Sequence, residues 1–260
     1  MSGETTSENE TKLVVTRDGS HTVYSSHFDQ HYHNPNGAVA ESRYVFFEKT
    51  GLLDDLNSRA QINILEIGFG TGLNLLLLLD YYLDQSSQAQ INYYSIEGFP
   101  LSQERAQNLN FSNHINHPEL ATEITHIFSN LTEGMNQFNF LNNISVHLFN
   151  GMFRDFSPGN ISTNYIFHDA FSPDVNPTLW TGEVFTKLYQ FSTEDVLLST
   201  YCAASKARGA MAFSGWKIAR TQGALGKREM TLASHNPERL GNLKRVNEQR
   251  LAHRYEEGDF

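Results

Sequence analysis

The segment Leu65-Glu66-Ile67-Gly68-Phe69-Gly70-Thr71-Gly72 constrains this chain more than any other. It follows apolar Ile62 and Ile64 and runs into Leu73-Asn74-Leu75 and further leucines, a pattern that reads as strand, glycine loop and helix. Open α/β sheets hold nucleotide-like cofactors at this junction, outside the carboxyl ends of their strands. The glycines alternate as G-x-G-x-G, and position 73, where a dinucleotide fingerprint wants its third glycine, is leucine. That spacing favours S-adenosyl-L-methionine over NAD. A tight strand-to-helix turn without a ligand is the competing account.

The first core strand is predicted over Asn63 to Ile67, and its helix over about Leu73 to Leu83. Further strands are expected at Ile91 to Ile96, Ser145 to Phe149, Asn164 to His168 and Val196 to Thr200, with a closing hairpin from Trp216 to Arg220 and Arg228 to Ala233. Helices are expected at Val39 to Phe47, after Pro100, at Trp180 to Phe191 and at Ala203 to Ser214. Residues 110–145, rich in Asn and His, read as helical pieces joined by loops. Strands alternating with helices imply a mostly parallel sheet covered on both faces. The chain divides into a polar, disordered leader (1–12), an N-terminal segment packed on the core (13–60), the core itself (61–235) and a charged tail (236–260).

At 260 residues with 39% hydrophobic content the chain can bury one substantial core. Its single cysteine, Cys202, forms no internal disulfide and no zinc cluster. The N-terminus lacks an apolar signal-peptide region, and the run Leu75–Leu79 is too short to cross a bilayer, so a cytoplasmic protein without membrane contact is expected. Net charge is −10, which at first argues against nucleic acid. The distribution argues otherwise: 11 of the 19 Lys and Arg residues lie after residue 199, with only 6 of the 29 Asp and Glu. A basic third on an acidic body can steer a phosphate backbone to one face, although solvated helix faces give the same count.

Three carboxylates fall at strand ends. Glu66 is placed to receive the donor's methionine ammonium, directly or through water. Glu97, ending the next strand, is placed to hold both ribose hydroxyls. Asp169, in His168-Asp169-Ala170-Phe171-Ser172-Pro173, can orient an acceptor amine and take its proton, or else cap a loop. His168 would point away from Asp169 and pack. His31-x-His33 and His114-x-x-His117 have metal-like spacing but no companion acid at a recognisable interval, so no metal is expected. Lys227 and Arg228, after the glycine of the late hairpin, are placed to grip phosphate, with Lys206, Arg208, Lys217 and Arg220 in the same basic stretch.

With these segments in place the chain resembles a known family, the methyltransferase domain of the tRNA 5-methylaminomethyl-2-thiouridine biosynthesis enzymes of the MnmC type. The matching stretches are Gly37 to Phe46, Leu65 to Asn74, Glu97-Gly98-Phe99-Pro100-Leu101, Asp169-Ala170-Phe171-Ser172-Pro173 with Asn176-Pro177 and Leu179-Trp180-Thr181, and Ser199-Thr200-Tyr201 through Gly226-Lys227-Arg228-Glu229-Met230. The resemblance implies a Rossmann-like class I fold with a seven-stranded sheet and an antiparallel last strand. It implies methylation of 5-aminomethyl(-2-thio)uridine at the tRNA wobble position, with the tRNA anticodon region as partner. Asp169 is then the catalytic residue. Glu66, Gly68, Gly70, Gly72, Asn74, Glu97, Gly151 and Met152 form the donor site, and Glu41, Arg43, Phe171, Lys227 and Arg228 the substrate site. The family has Gly-Asp where this chain has Gly151-Met152, so Asp155, Asn150 or backbone and apolar groups would hold adenine. Bifunctional relatives add a flavin-dependent oxidase, for which these 260 residues leave no room, so FAD is not expected. A small-molecule amine methyltransferase and a non-catalytic binding protein of this fold are the alternatives.

Overall fold

A computed structural model describes residues 11–260. Most of the expected leader therefore lies outside the described residues, but Thr11 and Lys12 already belong to a strand. Strands β1 (Thr11–Val15), β2 (His21–Ser25) and β3 (Gln30–His31) form a small antiparallel meander. The helix expected near residue 40 begins as α1 (Ala38–Ser42), widens into a π-helical stretch over Arg43–Glu48, and is followed by α2 (Leu52–Ser58).

The alternating core then runs β4 (Gln61–Ile67), α3 (Leu73–Asp84), β5 (Gln90–Glu97), α4 (Gln103–Gln107), α5 (Leu120–Asn130), β6 (Gly134–Phe140), β7 (Ile144–Asn150) and β8 (Thr163–His168). It continues through α6 (Gly182–Gln190), β9 (Ser192–Thr200), α7 (Ser205–Phe213), β10 (Lys217–Thr221), β11 (Met230–Ser234), β12 (Lys244–Arg245) and α8 (Glu248–Glu256). The sheet order is β12-β10-β11-β9-β8-β4-β5-β7-β6. The five central strands, β9 to β7 in that order, are mutually parallel, and the strands outside them pair antiparallel.

The sheet thus has nine strands where seven were expected. The additions are its two edges. β6 comes from the stretch read as helical pieces and loops, and β12 from the stretch read as a charged tail. That stretch also carries α8, whose Tyr255 hydroxyl accepts a hydrogen bond from the Gly182 amide at the start of α6. No helix among the described residues is long and apolar enough to cross a membrane.

Both sheet faces are buried, as parallel strands require. Along β4 the pleat sends Ile62 and Ile64 to one face, with the α3 leucines, and Leu65 and Ile67 to the other, with Trp180, Phe185 and Trp216. Every residue from Leu73 to Asp80 is buried. An all-round apolar helix belongs between layers. Accordingly Phe46 and Phe47 of the π-helical stretch join its cluster from the other side. Glu66 shares the pleat face of Ile62 and Ile64 and so points under α3.

Candidate active site

Strand order reverses about β4, with β5 on one side and β8 on the other, and the crevice of such a sheet opens there. A cavity of about 680 Å³ occupies this place, within the usual range of roughly 300–1,000 Å³ for ligand sites. Gly68, Gly70, Glu97, Gly151, Met152, Asp169 and Phe171 line it. Two of the lining glycines hold a left-handed backbone against close neighbours. Gly68 has φ 95° and a side chain there would meet the Asp169 carbonyl oxygen at 3.0 Å; Gly70 has φ 54° and would meet the Tyr32 ring at 3.1 Å. Gly72 caps α3 and packs on Ile124, outside the cavity.

Glu97 is buried at the strand end. Its Oε2 accepts from the Gly70 amide and its Oε1 from the Phe99 amide, each at 2.8 Å. Burial raises its pKa against the pull of those N–H groups. Beyond β7, Met152 and Phe153 form an apolar wall, and the Met152 sulfur lies against Gly98. Neither Asp155 nor Asn150 is in the lining. Lys187 of α6, which sequence reasoning passed over, is: its Nζ donates to the Phe153 carbonyl at 3.1 Å, and desolvation lowers its pKa.

Asp169 follows β8, its amide donating to the Ile67 carbonyl at 3.0 Å, and its side chain faces the cavity. Its pKa is pushed well above the ordinary carboxylate value, first by burial, then by the negative charges of Glu66 and Glu41, with Lys227 opposing. His168 points to the opposite face, stacked on Phe185 and beside Trp180, with Nε2 3.0 Å from the Leu179 carbonyl. It packs.

The far wall is aromatic. Phe28 stacks on Phe171 at 4.5 Å, Tyr32 meets Phe171 edge-on at 4.9 Å, and Phe99 meets Phe28 at 5.3 Å. Phe28 and Tyr32 come from the N-terminal meander, clamped there by Gln30, whose Oε1 accepts from the Ser172 amide and hydroxyl. Sequence reasoning missed both rings. Their signal was an unusual density of aromatics, Tyr24 to Phe28 and Tyr32, in an otherwise polar stretch.

Several expected site residues are elsewhere. Glu66 is wholly buried behind the loop and does not line the cavity; Asn74 stands between it and Asp169. Arg43 is turned toward α3, its guanidinium donating to the His114 carbonyl at 2.6 Å and lying near the Tyr81 ring, so it presents no cation to a ligand. Lys227 is not a free phosphate contact: its Nζ pairs with Glu41 at 2.6 Å and lies over the Tyr201 ring. Glu41 in turn accepts from the Asn34 amide and side chain. Glu229 pairs with both Arg208 and Arg220, leaving Arg228 exposed on the β10–β11 loop and Lys206 exposed in the first turn of α7, both at the carboxyl end of the parallel strands.

The histidine pairs are structural as well. His33 is held between the Thr22 and Thr71 hydroxyls at 3.2 Å, its pKa lowered by burial to about 4. His117 does meet two acids, Asp80 and Asp84, that its sequence interval did not reveal. Asp80 Oδ1 already accepts from the Asn116 and His117 amides and faces the His117 ring, which makes the group a staple between α3 and the loop before α5.

A family model described as S-adenosyl-L-methionine-dependent methyltransferase matches residues 116–236. The "tRNA 5-methylaminomethyl-2-thiouridine biosynthesis bifunctional protein MnmC" of Leptospira interrogans is 34% identical over 224 residues, 83% of this chain and 34% of that protein. The protein of the same name from Aromatoleum aromaticum is 30% identical over 230 residues, 86% of this chain and 35% of that protein. The chain belongs to the S-adenosyl-L-methionine-dependent methyltransferase family that includes the MnmC proteins. It spans about a third of the length of these relatives. The crystal structure of MNMC2 from Aquifex aeolicus matches the fold with a TM-score of 0.74 at 22% identity, over 96% of this chain and 77% of that one.

Proposed function

We propose that this chain transfers a methyl group from S-adenosyl-L-methionine to the exocyclic amine of 5-aminomethyl(-2-thio)uridine at the tRNA wobble position, giving the 5-methylaminomethyl form. The observation that carries this reading is the Asp169 carboxylate set beside the Phe28–Phe171–Tyr32 wall. A planar base can lie against those rings while its aminomethyl arm reaches the carboxylate. The acceptor is named from the relatives' own designation, a tRNA 5-methylaminomethyl-2-thiouridine biosynthesis protein.

The residues present fit the donor. Gly68 and Gly70 leave backbone open to it, and each Glu97 oxygen accepts one N–H in the structure, keeping capacity for a ribose hydroxyl. Met152 and Phe153 offer adenine apolar contact in place of the family's acid. The donor supplies a methyl group on a cationic sulfonium. Asp169 holds the amine in line and takes its proton directly or through water, and its raised proton affinity suits that task. Such a transfer needs neither metal nor flavin. On the RNA side, exposed Arg228 and Lys206, with Arg154 at the cavity edge, replace the grip first assigned to Arg43 and Lys227.

Asp169→Ala tests the reading. Donor binding by calorimetry is expected to persist while turnover falls by about 10²–10⁴-fold. Unchanged turnover would remove Asp169 from the chemistry.

A further inference from the structure

The Asn74 carboxamide joins two carboxylates. Its Nδ2 donates to Glu66 Oε1 at 2.9 Å and to Asp169 Oδ2 at 3.0 Å, one N–H to each, and its Oδ1 is buried without a partner. The nitrogen has to be the central atom, because a carbonyl there would face two acceptors. Of the pair, only Asp169 lines the cavity. Glu66, 1% exposed, receives its remaining hydrogen bond from the Ser95 hydroxyl at 2.7 Å, and no Lys or Arg among the described residues pairs with it.

We propose that Glu66, acting through Asn74, is a positioning residue for Asp169 that sets when Asp169 takes and releases a proton, and is not a ligand for the donor's methionine end. The inference rests on the reading of Asp169 as the base. The groups facing Asp169 are Glu66 of β4, Asn74 of α3, Glu41 of α1, Tyr93 of β5, Tyr201 after β9 and Lys227 of the β10–β11 loop. Glu66 is further faced by Ser95, Tyr93 and Glu97 from β5. Lys227 is the one cation in this set and is already paired with Glu41. Where it is ionised, Glu66 therefore contributes an anion that no neighbouring cation cancels, at one carboxamide's remove from the base.

The chemistry requires such tuning. An alkylamine arrives as its ammonium and must lose a proton before its lone pair can attack. Asp169 takes that proton; the nitrogen lone pair forms the N–C bond as the C–S bond breaks, and the bonding pair stays on sulfur as a neutral thioether. The product leaves as a secondary ammonium and one net proton passes from Asp169 through the cavity to solvent. An ordinary carboxylate is a weak base toward an ammonium, and a neighbouring anion strengthens it. The fixed Asn74 N–H keeps the receiving oxygen from turning away.

Glu66→Gln keeps the shape and can still accept from Asn74 while deleting the charge. The kcat/KM profile is expected to shift its acid limb to lower pH by about one unit. Plateau kcat should fall, and the donor Kd measured by calorimetry should stay within about twofold, since the carboxylate does not reach the cavity. Asn74→Ala, which cuts the link without touching the charge, should lower kcat by about tenfold or more at unchanged donor Kd. An acid limb that stays in place in Glu66→Gln, or a donor affinity that falls by about tenfold, overturns the inference. Asp169→Ala separates the two readings. Activity surviving in that variant sinks the base assignment itself, whereas loss there with an unmoved limb in Glu66→Gln sinks only the role of Glu66.

Discussion

Glu66 also makes a stability prediction that needs no substrate. Burial pushes its carboxyl up from 4.5 to about 7, with the Ser95 and Asn74 hydrogen bonds opposing. Because the folded-state value lies above the unfolded one, the contribution to stability is complete below pH 4.5. It is lost as pH rises through about 7. A difference of that size corresponds to about 3 kcal/mol at roughly 1.4 kcal/mol per pH unit. Glu66→Gln has no such term. Urea unfolding of both proteins between pH 5 and pH 8, in steps of about one unit, isolates it, because other titrations largely cancel in the difference. The variant should gain on the parent as pH rises toward about 7 and level off above it, ending up to about 3 kcal/mol ahead of its standing at pH 5, or roughly 6–12 °C in Tm. A difference that stays constant across the range would show that Glu66 is charged at no unusual cost, and the account of a desolvated anion behind Asp169 would fail.

Gly70→Ala forces a side chain into a left-handed position 3.1 Å from the Tyr32 ring, and should cost about 1–3 kcal/mol of stability together with most donor affinity, read by melting and calorimetry. Arg228→Ala and Lys206→Ala should each reduce the salt slope of tRNA binding by about one, with donor binding unchanged. Arg43→Ala should leave that slope alone, since its guanidinium is spent on the His114 carbonyl.

Much of this architecture is legible in the sequence because the central strands advertise themselves. Ile62 to Ile67 and Asn164 to His168 are short apolar runs bounded by polar or glycine-containing turns. The two edges are not legible. β6 reads Gly-Met-Asn-Gln-Phe-Asn-Phe, a polar strand covered on one side only, and β12 has two residues. The helix α8 has no fully buried residue, so its sequence looks like a solvated tail until α6 and α7 are beside it.

The site divides in the same way. Glu97 and Asp169 are found from the rule that ligands sit at strand ends, because each lies at a β-to-loop boundary. Glu66 obeys that rule in position but not in direction. It shares the pleat face of Ile62 and Ile64, which commits it to the buried side. Lys227 and Glu41, 186 residues apart, could be paired only by the fold. Counting basic residues therefore overstated the free positive charge near the cavity. The aromatic wall escaped notice because Phe28 and Tyr32 belong to a segment outside the alternating core.

The central claim is the identity of the acceptor. The measurement that tests it most directly is nucleoside mass spectrometry of tRNA from a strain lacking the activity, after incubation with the protein and S-adenosyl-L-methionine. Free 5-aminomethyluridine and simple amines would be assayed in parallel. The account predicts that 5-aminomethyl(-2-thio)uridine in the tRNA is converted to its 5-methylaminomethyl form, and that Asp169→Ala slows the conversion by about 10²–10⁴-fold. Unchanged tRNA nucleosides alongside methylated free amines would contradict it.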